Sequence, residues 1–283
     1  MNMISPINII AVSLGIAFFM GLLGNKAQRT SYILLIAALL FNTIVSLQWL
    51  YGLANNLVEA QQIFTAGYKP PFSINLLMGL NEAVIASLIN IVGLLGAIYM
   101  GSTLKKNGSG SQVVFLVLFM SLNVIVLSRD LFNIFVFLEV GSIAVAGLVI
   151  LQKGVKAVSA GFKYMLATGI IAGIFLIGII FIYRFTGSLN LDQIIQSNPA
   201  IKQGALISSF LILIAIILEL KPFPANGWAL DVYQAAHPGL SAILSSAVGT
   251  ANLYVLYKFT GMAGDSLMHY ISLIGIVTFV GSN

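Results

Sequence analysis

Long apolar runs without a single charged residue most constrain what this sequence can fold into. The segments Ser31–Leu50 and Val113–Ser128, for example, contain no Asp, Glu, Lys or Arg. An uncharged helix of about 20 residues is long enough to cross the hydrocarbon core of a bilayer, and within lipid only helices and closed barrels satisfy their own backbone hydrogen bonds. Because the runs are continuous and do not alternate, they predict a helix bundle rather than a barrel.

The composition excludes a water-soluble globule. Hydrophobic residues make up 59% of the 283 residues and charged residues only 7%, whereas a typical soluble domain is about 25% charged. The net charge of +5 is spread over short connections, while a nucleic-acid-binding protein would gather its charge in one patch. We therefore predict no nucleic-acid partner.

The sequence carries no motif of soluble-enzyme chemistry. It has no cysteine, which excludes disulfides and thiolate-bound clusters within this chain. It contains neither a Walker A sequence nor a dinucleotide-binding fingerprint, and its two histidines, His237 and His269, are too isolated to suggest a metal site. We therefore predict no catalytic residue, no cofactor and no metal in this chain.

The runs predict an all-α, polytopic bundle of nine transmembrane helices. The first run lacks a basic leader and is longer than a typical signal-peptide core, so we interpret it as a retained helix. Turn-forming residues separate the runs, and the polar segment between Asn55 and Ser73 is expected at the membrane surface. The predicted spans are Ile4–Leu23, Ser31–Leu50, Leu76–Met100, Val113–Ser128, Leu131–Leu151, Lys163–Tyr183, Ala205–Leu220, Leu240–Tyr257 and Leu267–Val280.

Basic residues on alternate connections predict the orientation. Connections that carry an excess of lysine and arginine remain in the cytoplasm, so we predict a multi-pass protein of the cell membrane, surrounded by lipid, with its N-terminus outside. The residues that carry this prediction are Lys26, Arg29, Lys105, Lys106, Lys153 and Lys156.

Glu139 is the ionisable residue that lies deepest in an apolar run. It is eight residues into the fifth predicted helix, roughly 12 Å along an axis that rises 1.5 Å per residue. A charge at that depth costs at least about 2.5–3.5 kcal/mol, so the side chain should face the bundle interior and find a partner. Such a group marks an ion or proton path by default; the alternative is a protonated carboxyl with one interhelical hydrogen bond.

The seventh predicted helix is interrupted by prolines. Pro222 and Pro224 follow Glu219 and Lys221, and a proline cannot continue a regular helix because it lacks an N–H group and clashes with the preceding turn. A second short helix is predicted from Trp228 to Ala236. Broken helices at membrane depth line cavities or binding sites. The alternative is that the prolines end the span and Lys221 snorkels to the interface.

Other ionisable residues are weaker candidates. Lys163 is the first residue of the sixth predicted helix. A lysine at a helix end can equally extend its ammonium to the membrane interface or take part in function. Lys258, near the end of the eighth helix, is interpreted as a snorkelling anchor rather than a site. Glu82 is either buried or marks a late start of the third helix, and Arg129-Asp130 forms either a local ion pair or a cap for the fifth helix. Lys258, Glu82 and His237 are retained as possible path residues.

Three stretches in the second part of the chain form an ordered series. They are Asp130–Glu139 (DLFNIFVFLE), Lys163–Leu189 and Phe223–Gln234 (FPANGWALDVYQ). This series resembles the fifth, sixth and broken seventh helices of the antiporter-like membrane subunits of respiratory complex I, Mrp-type cation/proton antiporters and energy-converting membrane hydrogenases. The DVYQ motif is most similar to the N-type subunit of complex I. The resemblance extends from about Pro71 to the last residue.

The resemblance implies translocation of H⁺ or Na⁺ along the middle of the membrane, driven by redox chemistry or a counter-ion gradient elsewhere in a complex with other membrane subunits. It implies that Glu139 is the translocating carboxylate, that Lys163 is its neighbour, and that Glu219 and Lys221 form a gate at the broken helix. Two further hypotheses stay open: a non-conducting scaffold subunit and a component of a cation/proton antiporter.

The sequence departs from the family at two positions. Family members carry a lysine in the seventh helix, but alignment on Pro224 and Trp228 puts Glu219 in that position. The position of an eighth-helix lysine falls on Gly249 or Thr250, which cannot titrate. Either a nearby lysine supplies the cation that couples to Glu139, or two carboxylates share a proton or Na⁺; the sequence leaves both open.

The resemblance also implies the division of the chain. Residues 1–110 are expected to hold the three leading helices, residues 111–262 the first antiporter-like repeat with helices four to eight, and residues 263–283 the beginning of a second, inverted repeat. Because the family has two such repeats, we expect either that the sequence is a fragment or that a neighbouring subunit supplies the second repeat.

Overall fold

The computed structural model describes residues 3–197, 203–262 and 265–281, and most of these residues are helical. The elements in chain order are α1 (Ile7–Leu23), α2 (Gln28–Ala54), β1 (Gln61–Phe64), β2 (Asn75–Met78), α3 (Leu80–Tyr99), α4 (Gly101–Lys106), α5 (Ser109–Leu127), α6 (Leu131–Ile150), α7 (Val155–Thr186), α8 (Leu191–Gln196), α9 (Gln203–Glu219), α10 (Gly227–Ala235), α11 (Pro238–Ile243), a π-helical segment (Leu244–Val248), α12 (Gly249–Thr260) and α13 (Asp265–Gly281).

Within the described residues, six helical stretches are long and apolar enough to cross a membrane. They are α2, α3, α5, α6, α7 and the continuous stretch Pro238–Thr260 that contains α11 and α12. Shorter apolar helices cover Ile7–Leu23, Leu206–Glu219 and Met268–Gly281. The prediction of a polytopic helical membrane protein is confirmed at this level.

The beginning of the third helix was predicted too early. Residues 75–78 form β2, which pairs antiparallel with β1 so that Gln61 lies opposite Met78, and α3 begins only at Leu80. Glu82 Oε2 accepts a hydrogen bond from the Gly79 backbone N–H at 3.1 Å, as in a capping box at a helix N-terminus. A small hairpin therefore interrupts the all-α prediction, because the short apolar strand β2 directly precedes α3 and was taken as the beginning of the same apolar run.

The sixth predicted helix is longer than its apolar core. It was predicted at Lys163–Tyr183, whereas α7 runs from Val155 to Thr186 over 32 residues. Lys163 is eight residues beyond Val155. At 3.6 residues per turn it therefore lies about two turns inside the helix and is not its first residue.

The break in the seventh helix is confirmed. Helix α9 ends at Glu219 and α10 begins at Gly227, with Pro222 and Pro224 in the intervening segment. Lys221 directly precedes Pro222 and has a left-handed φ of 59°, a conformation that residues other than glycine rarely adopt.

The eighth helix contains a feature that the hydrophobic pattern did not predict. Its middle, Leu244–Val248, is π-helical and directly precedes Gly249 and Thr250, the two positions at which the resemblance implied an eighth-helix lysine. Such segments are rare and often occur at functional sites.

The helices alternate in direction and give the bundle two distinct ends. The hairpin end contains β1 and β2, which are joined to the α5–α6 connection by the Arg129 N–H bond to Asn75 O at 2.8 Å. The basic end contains the connections that carry Lys105, Lys106, Lys153 and Lys156. There the Lys105 ammonium lies 4.7 Å from the centre of the Tyr32 ring.

Buried amides fasten the leading helices to α5. Asn90 of α3 and Asn123 of α5 exchange two side-chain hydrogen bonds of 3.0 and 2.9 Å. Asn42 of α2 donates to Ser13 of α1 at 2.8 Å, and Asn90 also reaches Ser46 at 3.4 Å. All five residues are 0% exposed. Polar side chains bond across helices in this way within membrane bundles. These hydrogen bonds were not predicted, because uncharged polar residues do not stand out in an apolar run as charged residues do.

Candidate functional site

Glu139 and Glu219 line the same small cavity. Glu139 projects from α6 and is half-buried, while Glu219 is the last residue of α9 and is 7% exposed. The other lining residues are apolar: Phe135, Leu138, Ile171, Ala172, Phe175, Ala215 and Ile216. The cavity leaves about 10 Å³ for the centre of a water molecule, close to the least volume that holds one water. Two carboxyl groups thus meet in an otherwise apolar space between α6, α7 and α9.

Glu219 also lines a second small cavity on its other side. This cavity is of the same size and includes Ser142 of α6, Tyr164 of α7 and Asn252 of α12. The Asn252 side-chain amide donates to the backbone carbonyl of Glu219 at 3.5 Å. Glu219 therefore lines two small, largely apolar cavities, one shared with Glu139 and one shared with Asn252 of α12.

Lys221 lies at the break next to Glu219. Its ammonium donates to the backbone carbonyl of Glu219 at 3.3 Å and lies 5.9 Å from the centre of the Trp228 ring. Trp228 in turn packs edge-on against Tyr164, with ring centres 5.4 Å apart. Within the described residues Lys221 forms no ion pair with a carboxylate; its contacts hold it at the break, against Trp228 of α10.

Lys163 forms its ion pair with Asp231, and no ion pair with Glu139 is present among the described residues. Its ammonium pairs with the Asp231 carboxylate of α10 at 2.6 Å, and the two side chains are 55% and 42% exposed. Because α7 begins at Val155, Lys163 lies near the basic end, where α10 packs against α7. Asp231 belongs to the DVYQ sequence, and its pairing with Lys163 was not predicted. The pairing depends on the path of the chain through the break between α9 and α10.

Lys258 is buried, and its interpretation as a snorkelling anchor is wrong. Its side chain is only 5% exposed. The ammonium donates to the backbone carbonyls of Ile125 at 3.1 Å and Ser128 at 2.8 Å, and to that of Val126. The last carbonyls of a helix have no partner within it, and Lys258 supplies all three of its N–H donors to this stretch at the end of α5.

Glu82 is both buried and close to a helix start, so its two sequence interpretations combine. It is 4% exposed and accepts a hydrogen bond from the Tyr254 hydroxyl at 2.6 Å. Glu82, Tyr254, Lys258 and Arg129 line an open cavity of about 510 Å³ at the hairpin end. Arg129 pairs there with Asp192 of α8.

Asp130 caps α6, so the capping interpretation is confirmed and the local ion pair with Arg129 is wrong. The Asp130 carboxylate accepts the Asn133 backbone N–H at 2.8 Å. His237 similarly caps α11, since its Nδ1 accepts the Gly239 N–H at 3.1 Å, and its ring packs edge-on against Tyr99. Among the described residues, no group of three or more His, Asp or Glu side chains is arranged to hold a metal.

The second part of the chain matches a known protein family. The family model described as NADH:quinone oxidoreductase/Mrp antiporter, TM, matches residues 128–283. This range includes Glu139, Lys163, the broken helix and the eighth helix.

Curated relatives and solved structures agree with this match. NADH-quinone oxidoreductase subunit N of Desulforudis audaxviator is 27% identical over 73% of this chain and 43% of its own length. An uncharacterized protein of Methanocaldococcus jannaschii is 31% identical over 93% of this chain and 54% of its own length. The chain thus spans about half the length of these relatives.

Two solved structures share the fold. A chain of the membrane-bound sulfane sulfur reductase, an archaeal respiratory membrane complex, superposes with a TM-score of 0.83 at 28% identity, covering 94% of this chain and 56% of that chain. A chain of the Mrp complex from Dietzia sp. DQ12-45-1b superposes with a TM-score of 0.82 at 22% identity, covering 97% of this chain and 52% of that chain.

Proposed function

Because this chain belongs to the NADH:quinone oxidoreductase/Mrp antiporter transmembrane family, we propose that it is a membrane subunit, or part of one, of a complex that translocates H⁺ or Na⁺. The driving force is redox chemistry or a counter-ion gradient elsewhere in the complex. The chain itself supplies ion-binding side chains and the helices that position them.

The shared cavity of Glu139 and Glu219 carries this proposal. Two carboxyl groups on different helices that line one small cavity repel each other when both are charged, so they favour binding of a proton or a small cation between them. Glu139 is the translocating carboxylate in this proposal, and Glu219 takes the position of the family's seventh-helix lysine. Lys221 stabilises the break between α9 and α10 through its contacts with the Glu219 carbonyl and Trp228, and does not carry the ion.

The inner path has a direction across the helices. It runs from Glu139 on α6 to Glu219 on α9 and on to Asn252 on α12, roughly parallel to the membrane plane. Gly249 and Thr250 supply no titratable group near its far end, so a water or ion has to pass along polar, uncharged side chains there. The adjacent π-helical segment provides irregular backbone at that point.

The finer architecture is also part of this proposal. Nine helices span the membrane, the N-terminus lies outside, and the basic end faces the cytoplasm of a cell membrane. Residues 1–110 form the leading helices, 111–262 the first antiporter-like repeat and 263–283 the beginning of the second, of which residues 263, 264, 282 and 283 lie outside the described residues. In this proposal other membrane subunits assemble with the chain, the remainder of the second repeat comes from further membrane-embedded polypeptide, and lipid surrounds the assembly.

The test is ion uptake by liposomes that contain the whole parent complex. We expect Glu139→Gln to lower H⁺ or Na⁺ transport per turnover of the driving reaction, because the amide cannot exchange a proton, while assembly is kept. Glu59→Gln is the matched control, since Glu59 is an exposed carboxylate in the connection before β1. Undiminished transport in an assembled Glu139→Gln complex would instead support the non-conducting scaffold.

A further inference from the structure

A wide cavity opens between α7 and α10 at the basic end of the bundle. It has a volume of about 470 Å³, large enough for several water molecules. We call it the α7–α10 vestibule, and it is lined by Val155, Lys156, Ser159, Ala160, Lys163, Asp231, Gln234 and Ala235. The inner path described above does not use any of these residues.

Asp231 is the carboxylate among the residues that line the vestibule, and Lys163 holds it. The ion pair joins α7 to α10 at 2.6 Å, with both side chains partly exposed. A proton or a metal cation that enters the vestibule is attracted by Asp231 and repelled by Lys156 and Lys163. A cation that binds the Asp231 carboxylate reduces the negative charge that holds the Lys163 ammonium, so cation binding weakens the ion pair.

A second contact lies directly inward of this ion pair. Tyr164 follows Lys163 and is 1% exposed, and it packs on Trp228, which lies three residues, or about one turn, before Asp231 on α10. Tyr164 lines the same cavity as Glu219, and Trp228 faces Lys221. The Tyr164–Trp228 contact therefore joins a residue of the Glu219 cavity to the helix that carries Asp231.

Helix α10 is short, and irregular backbone bounds it at both ends. It has nine residues, and it is bounded by the proline break on one side and by Ala236 and His237, which have extended backbone, on the other. Short helices between irregular segments shift more readily than continuous ones, because the flanking residues absorb the change in backbone angles. Both contacts described above connect this short helix to the long α7.

We propose that the vestibule is the aqueous port through which H⁺ or Na⁺ reaches Glu219, and that the Lys163–Asp231 pair is its gate. A cation that binds Asp231 displaces the Lys163 ammonium, α10 moves away from α7, and the Tyr164–Trp228 contact opens toward Glu219. This inference rests on the proposed function, but its test measures access and not transport.

The test uses the absence of native cysteine from this chain. Ser142→Cys puts a thiol in the Glu219 cavity behind the gate, and Ser159→Cys puts one in the vestibule. In liposomes that contain the whole complex, a small, membrane-impermeant thiol reagent is added on the side that the basic end faces. We expect fast labelling of Ser159→Cys and slow labelling of Ser142→Cys.

The gate is then opened by substitution. We expect Asp231→Asn and Lys163→Gln each to raise the labelling rate of Ser142→Cys about two- to fivefold, the range that corresponds to an exposed ion pair of about 0.4–1 kcal/mol. The charge-reversed double variant, Lys163→Asp with Asp231→Lys, should return the rate to its original value. Lys156→Gln is the control, because it removes a vestibule charge outside the pair.

Three results would overturn this inference: slow labelling of Ser159→Cys, equal labelling of Ser142→Cys in all variants, or no recovery on charge reversal. Each is distinguishable from a failure of the proposed function, because Glu139→Gln is not used and no transport is measured. A complex that labels as expected but moves no ion would retain the gate and refute the conducting role.

Discussion

Replacement of Lys258 by methionine tests the most unexpected contact in the bundle. Methionine keeps most of the side-chain volume but removes the ammonium that bonds to the carbonyls of Ile125, Val126 and Ser128. The change therefore leaves three carbonyls at the end of α5 without this partner in a part of the protein where Lys258 is 5% exposed.

The expected loss of unfolding free energy in Lys258→Met follows from two opposing contributions, the lost hydrogen bonds and the relieved desolvation of the ammonium. A hydrogen bond to a charged group contributes about 1.5–3 kcal/mol, so three of them give roughly 4.5–9 kcal/mol. Removing the buried ammonium also relieves its desolvation, which costs several kcal/mol. The net loss is about 3 kcal/mol. At about 2–4 °C per kcal/mol for chains of 150–250 residues, the midpoint of thermal unfolding should fall by roughly 6–12 °C.

The assay heats the purified complex in detergent and measures how much of this subunit remains soluble and assembled. Lys106→Met is the matched control, since Lys106 is exposed at the end of α4 and surface substitutions usually change stability by less than about 0.5 kcal/mol. If Lys258→Met melts at the same temperature as the control, the ammonium does not bind these carbonyls and the buried geometry is wrong.

Three further substitutions test the packing around the site with the same heating assay. Asn90→Leu should cost about 1–3 kcal/mol because it leaves Asn123 Oδ1 buried without its donor, although the Asn123 amide nitrogen keeps its bond to the Phe119 carbonyl. The double Asn90→Leu/Asn123→Leu variant should lose less than the sum of both singles; additive losses would argue against the pair. Asp130→Ala should cost about 1 kcal/mol by removing the cap of α6 and should speed hydrogen exchange in its first turn, whereas unchanged exchange would contradict the cap. Gly178→Val should destabilise the α7–α9 contact, since a β-carbon there lies 2.7 Å from a side-chain atom of α9, while Gly173→Val meets nothing within 4 Å and serves as the control; equal stability of the two variants would refute this close approach.

The helical membrane fold and the broken helix could be predicted because they depend on local chemistry. Apolar runs of bilayer length leave few alternatives to helices, and Pro222 and Pro224 interrupt a helix wherever they occur. Glu139 could also be singled out, because a carboxylate in the middle of an apolar run is costly in any arrangement of helices.

The partners of the charged residues could not be predicted in the same way. Lys258 looked like an interfacial anchor because its position near a helix end is consistent with snorkelling, and only the packing of α12 against α5 brings it to unpaired carbonyls. Lys163 meets Asp231, which is 68 residues away in sequence, because the break redirects α10 toward α7. Asn90 and Asn123 carry no charge and so gave no signal in a search for intramembrane charges.

The central claim is that Glu139 and Glu219 act on one ion in one cavity, and a double-variant measurement of transport tests it most directly. H⁺ and Na⁺ uptake per turnover is measured in liposomes that contain the whole complex with Glu139→Gln, Glu219→Gln or both. Residues that act as a unit are non-additive, so we predict that each single change lowers transport and that the double change lowers it no further. Independent, additive losses, or transport equal to wild type in an assembled double variant, would contradict the claim.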